Sequence, residues 1–137
     1  LTDEEYNIVK EHAFYTYVLL KDIPGFETIS KWAYLHHEKL NGNGYPFGLT
    51  SDDIPMGSRI MGVADIFSAV AEIRPYRAGM SKEGVINVLR DNVMAGAISG
   101  YIADLMITNY DDIYEKRDIE VRNEGARYYA AMVANED

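Results

Sequence analysis

The chain has 137 residues, 47% of them apolar, with a formal net charge of −9. That length suits one domain with one core, 1–137. The acidic balance disfavours DNA, which needs a basic surface, though not a small phosphate ligand held by a few local arginines. Cysteine is absent, which excludes disulfides, thiolate metal sites and cysteine nucleophiles and fits a cytoplasmic setting. No apolar run approaches the length of a membrane span, so no membrane contact is expected from this segment. The chain starts at Leu1 rather than Met, and is expected to be a piece of something longer.

Thr2-Asp3-Glu4-Glu5 reads as a capping box and predicts a helix from about Asp3 to about Lys21. Val9, Ala13, Thr16 and Leu20 share one stripe, with His12 on its edge. Asp22-Ile23-Pro24-Gly25 ends that helix. A second helix is expected over about Glu27 to Glu38, with Ile29, Trp32, Ala33 and His36 facing inward and His37 turned about 100° away. The turn Asn41 to Pro46 and a polar loop through Asp53 follow.

Pro55 marks the first turn of a third helix running to about Ile73. Ile60, Val63, Ala64, Phe67 and Ala71 form its inward stripe, and Asp65 lies on the flank. Arg74-Pro75-Tyr76-Arg77 breaks it. Ser81 is expected to cap a fourth helix with Val85, Ile86, Leu89 and Val93 inside. A fifth is expected over Ala97 to about Asn109, with Ile102, Leu105 and Met106 apolar. Asp111 or Asp112 could cap a last one, reaching about Val133 and solvent-facing over Glu115 to Glu124. No period-2 strand is evident, so the class is all-α, a bundle of five to six helices.

The chemistry-bearing residues cluster early. All three histidines, His12, His36 and His37, lie in the first 37 residues. A lone histidine on an apolar face is ordinarily a satisfied core residue, and a pair at a helix end can simply face the negative end of the dipole. Adjacent imidazoles at a helix end are also good metal-ligand material. Asp65 stands in an otherwise apolar run, where a half-buried carboxylate needs a partner such as a hydrated cation. Arg74 and Arg77, three apart across a proline, are either two surface charges or a fork for phosphate oxygens.

Together, His37-Glu38, Asn41-Gly42-Asn43-Gly44-Tyr45-Pro46, Gly48-Leu49, Ile54-Pro55, Arg59-Ile60, Val63-Ala64-Asp65 and Arg74-Pro75-Tyr76-Arg77 resemble the HD-GYP subfamily of the HD phosphohydrolase superfamily. The resemblance covers about residues 1 to 95, and residues 98 to 137 resemble a helical tail. It implies a helical, metal-dependent phosphodiesterase acting on cyclic di-GMP or a related cyclic dinucleotide, with two or three divalent ions, Fe or Mn. It implies His12, His36, His37 and Asp65 as metal ligands and Arg74 and Arg77 as phosphate contacts. It also implies Gly44, Tyr45 and Pro46 as a loop beside the substrate that can dock diguanylate cyclase domains. A homodimer is compatible with it.

The chain departs from the family pattern. No His-Asp dipeptide occurs here, and the resemblance implies that it lies upstream of Leu1 with the remaining ligands. The segment alone is therefore expected to bind metal weakly and turn over slowly or not at all. Asn41 and Ser68 stand where acids are usual. A module that has lost catalysis but senses cyclic di-GMP or docks a cyclase is the alternative, as is a hydrolase for another cyclic nucleotide.

Overall fold

A computed structural model describes residues 2–72 and 79–133. Among them the elements are α1 (Asp3–Leu20), α2 (Glu27–Tyr34), a single 3-10 turn at Ser51–Asp53, α3 (Met56–Ala71), α4 (Lys82–Met94), α5 (Gly100–Thr108) and α6 (Tyr110–Val133). Extended pairing among the described residues is limited to an isolated antiparallel bridge between Asn41 and Thr50. The class is all-α, as expected. No helix among the described residues is long and apolar enough to cross a membrane.

Local chemistry sets the helix starts. At α1 the Thr2 hydroxyl accepts from the Glu5 amide, and the Glu5 carboxylate accepts from the Thr2 amide, so two orphan donors are satisfied reciprocally. Ser81 accepts from the Gly84 amide at the start of α4. Pro55 sits just outside α3 as its cap residue, where its missing N–H costs nothing.

The chain divides after Ala103 into two compact units. In the first, α1 packs on α2, α2 on α3 and α3 on α4. Ala13, Leu35, Val63, Phe67, Ala71, Val85 and Leu89 form the buried core. The inward faces of α3 and α4 follow the predicted stripes, except that Ile60 is half exposed.

Helix α2 departs from expectation. It stops at Tyr34, not Glu38, and it buries Ser30, while Ile29 is 51% exposed. Residues after Leu35 leave the helix because their polar groups are claimed from elsewhere. The Leu40 amide donates to the Ala97 carbonyl, and the Glu38 carboxylate takes two loop amides. Trp32, expected inside, is 38% exposed and lays its indole against Gly57 on α3.

The predicted fifth helix begins at Gly100 instead of Ala97 for a related reason, since Ala97 supplies the carbonyl that Leu40 uses. In the second unit, α6 starts at Tyr110. Lys116 pairs with Asp112, Arg122 with Asp118 and Arg127 with Glu124, each three or four residues apart along an exposed face. Such pairs contribute little in water. Helix α3 ends at Ala71 with Glu72 extended, short of the expected end at about Ile73, and the side chains of Tyr128, Tyr129 and Met132 lie outside the described residues.

Candidate metal centre

Three imidazoles meet where α1 passes the end of α2. His12 comes from the middle of α1, and His36 and His37 come from the turn just after α2. One nitrogen from each of the three lies within 4.8 Å of the others. His36 therefore does not continue the helix beside Trp32, as its spacing had suggested; it joins the turn that faces α1.

The tautomers follow from the hydrogen bonds. His12 Nδ1 lies 2.5 Å from the Val9 carbonyl, and His36 Nδ1 lies 2.5 Å from the Ala33 carbonyl. A carbonyl only accepts, so each Nδ1 carries a proton, and in the neutral ring this leaves the lone pair on Nε2. This backbone bond is the usual way a ligating histidine is oriented. His37 Nε2 lies 3.0 Å from His12 Nε2. Two lone pairs that close repel unless a proton or a cation sits between them. Two nitrogens bound cis to one ion at about 2.0–2.1 Å stand about 3 Å apart, so the spacing fits a shared divalent ion.

Burial, opposed in part by Asp65 and aided by the neighbouring His36 and His12, pulls the His37 pKa down to about 4. The ring is therefore neutral near pH 7, the form that ligates. Asp65 approaches from α3, with its carboxylate 3.8 Å from His37 Nδ1 and its side chain about half exposed. The Asp65 position depends on Gly62, one turn earlier. A Cβ at Gly62 would sit 2.8 Å from the His36 carbonyl oxygen, so glycine lets α3 close on the histidine turn.

The loop after the histidines is held by Glu38, a residue of the motif with no role evident from sequence. Glu38 is 8% exposed, and its two carboxylate oxygens accept from the Phe47 and Leu49 amides at 2.7 and 2.8 Å. Both amides belong to a loop with no ladder of its own. The signal available in sequence was the question of where such amides go, with an acid nine and eleven residues upstream of them. Glu38→Gln keeps the shape but turns one oxygen into a donor facing an amide. Urea unfolding should show a loss of about 2 kcal/mol, because a buried polar pair is left mismatched. Wild-type stability in Glu38→Gln would refute this role.

Two other motif residues have structural duties. Arg59 donates to the Ile54 carbonyl at 2.8 Å and also to the Ser51 carbonyl, closing the loop onto α3. Asn41 donates from its amide to the Ala95 carbonyl at 2.8 Å and accepts from the Asn43 amide. An aspartate there would have no proton to give to Ala95, so the amide fits its surroundings.

A cavity of about 460 Å³ opens beside these residues, lined by His36, His37, Asp65, Gly44 and Tyr45, and by Tyr6 and Lys10 from α1. The Tyr45 ring lies 4.7 Å from that of His37, and the Tyr45–Pro46 bond is cis. Burial, with Tyr6 and Asp65 nearby, pushes the Tyr45 pKa up to about 12, so its hydroxyl remains a donor. Arg74 and Arg77 lie outside the described residues.

A family model described as HD domain matches residues 1–96. Among curated proteins the chain is similar to 3'3'-cGAMP-specific phosphodiesterase 1 of Vibrio cholerae serotype O1, 35% identical over 84% of this chain and 27% of that protein. It is also similar to the cyclic di-GMP phosphodiesterase response regulator RpfG of Xanthomonas campestris, 35% identical over 65% of this chain and 24% of that protein. A third relative is the cyclic di-GMP phosphodiesterase PdeB of Borreliella burgdorferi, 28% identical over 98% and 39%. The chain thus spans between about a quarter and two fifths of the length of these relatives. With the family match over most of its length and a histidine turn leading into Gly44-Tyr45-Pro46, the chain belongs to the HD domain family, as a domain of the HD-GYP type.

Proposed function

We propose that the chain contributes part of the active site of a metal-dependent phosphodiesterase that opens a cyclic dinucleotide, with His12, His36, His37 and Asp65 holding the cation. One observation carries this reading: ligand nitrogens of three histidines lie within 4.8 Å of one another, with the Nδ1 atoms of two committed to backbone carbonyls. The names of the relatives, which are phosphodiesterases of cyclic di-GMP or 3'3'-cGAMP, favour the substrate class. Imidazole with carboxylate suits Fe or Mn.

When bound, such ions polarise a phosphodiester and lower the pKa of water. The chain's own residues do the rest. His37 presents a neutral ring, and Asp65 adds a negative charge opposite it. The protonated Tyr45 hydroxyl is available to donate to a ligand oxygen. Arg74 and Arg77 neutralise phosphate oxygens.

Calorimetry of the chain with cyclic di-GMP, with and without Mn²⁺, tests the proposal. Binding that requires Mn²⁺, with slow or absent turnover, is expected. Binding that ignores the metal would make the site a nucleotide sensor instead. Absence of binding with Mn²⁺ present would remove the substrate class.

A further inference from the structure

We infer that Lys10, propped on Tyr6, is an anion subsite of this cavity that takes a phosphate group of the nucleotide from the α1 side. The identity of the nucleotide rests on the proposed function, whereas the subsite itself rests on charge and geometry.

Tyr6 and Lys10 are one turn apart on α1, so their side chains share a face. The Lys10 ammonium lies 4.6 Å from the Tyr6 ring centroid and 5.9 Å from that of Tyr45. It donates to the Asn7 side-chain oxygen at 3.3 Å. Two ring faces and one hydrogen bond therefore fix the ammonium at the cavity while leaving donors to spare. Among the described residues it has no carboxylate partner, although the chain carries 22 acidic groups against 13 basic ones. A lysine left to itself in so acidic a chain is ordinarily paired or splayed into solvent.

Charge in the cavity then identifies the ligand. Lys10 and Lys39 both line it, and Asp65 and Glu38 are the lining carboxylates. Glu38 is already spent on two loop amides. Once a divalent cation sits on the imidazoles and Asp65, the Lys10 ammonium and that ion together outweigh the carboxylates of Asp65 and Glu38. With that ion bound the site is locally positive in a chain of net −9, and like charges in one cavity are tolerated when an anion lies among them. A phosphodiester is such an anion, and it would contact the ion on one side and Lys10 on the other.

The test is calorimetry of the Mn²⁺-loaded chain with cyclic di-GMP and, separately, with inorganic pyrophosphate. Lys10→Met keeps the length of the side chain and removes the charge. It should weaken both ligands about tenfold, the scale of one charge-assisted hydrogen bond, without weakening Mn²⁺ itself. Lys10→Arg should stay within about threefold of wild type, and Tyr6→Leu should lose affinity while Tyr6→Phe retains it. Unchanged affinity of Lys10→Met for cyclic di-GMP overturns the subsite and leaves the proposed function standing. If the wild type binds no cyclic dinucleotide, the proposed function fails and pyrophosphate alone decides. A tenfold loss in Lys10→Met still supports the subsite there, and equal binding, or none by the wild type, overturns it.

Discussion

Gly44→Ala should cost about 3 kcal/mol of stability and dislodge the loop that carries Tyr45 and Pro46. A Cβ at Gly44 would meet the Lys39 amide nitrogen at 2.2 Å and the Glu38 Cα at 2.5 Å. Both are backbone atoms, which cannot swing aside as a side-chain tip can. Moving them breaks the Glu38 clasp on Phe47 and Leu49 and the bond from the Tyr45 amide to the His37 carbonyl. Urea unfolding measures the cost, and Gly125→Ala is the internal comparison. Nothing lies within 4 Å of a Cβ there, and the residue is inside α6, so that change should stabilise by about 0.5–1 kcal/mol. Equal stability of Gly44→Ala and wild type would mean that the loop is not packed on the histidine turn.

His37→Ala should lower Mn²⁺ affinity about a hundredfold. This ring is central to the cluster: its Nε2 lies 3.0 Å from that of His12, its centroid 3.8 Å from that of His36, and its Nδ1 3.8 Å from the Asp65 carboxylate. Loss of groups that merely orient a ligand costs tenfold to a hundredfold, so loss of a ligand lies at the upper end. A fluorescence or calorimetric titration of wild type and variant reads the difference. Affinity unchanged in His37→Ala would place any bound ion elsewhere.

Much of the fold was legible because its causes are local. The Thr2–Glu5 capping box and the Ser81 cap are written in four consecutive residues, and the stripes of α3 and α4 run over helices long enough to average out exceptions. Helix α2 was misread because its end is decided from a distance, by the carbonyl of Ala97 and the amides of Phe47 and Leu49. Its eight residues lie between α1 and α3, so a single inward stripe does not describe them.

The candidate site divides in the same way. The His36-His37 pair is conspicuous in sequence, but nothing in the spacing of His12, His37 and Asp65 tells that they meet. That expectation rests on the family resemblance, and in the structure His37 lies between His12 and Asp65. Glu38, Gly62 and the Tyr6–Lys10 pair went unassigned because each acts on a group distant in sequence, and no spacing rule links them.

The central claim is that three imidazoles converge on one cation. Because the chain holds three histidines in all, an imidazole NMR spectrum in a Mn²⁺ titration tests it directly, even where binding is weak. The expected result is concerted broadening of all three ring signals at the same Mn²⁺ concentration, with ring nitrogen shifts that place the proton on Nδ1 in His12 and His36. Broadening confined to one ring, or absent while the protein remains folded, would contradict it.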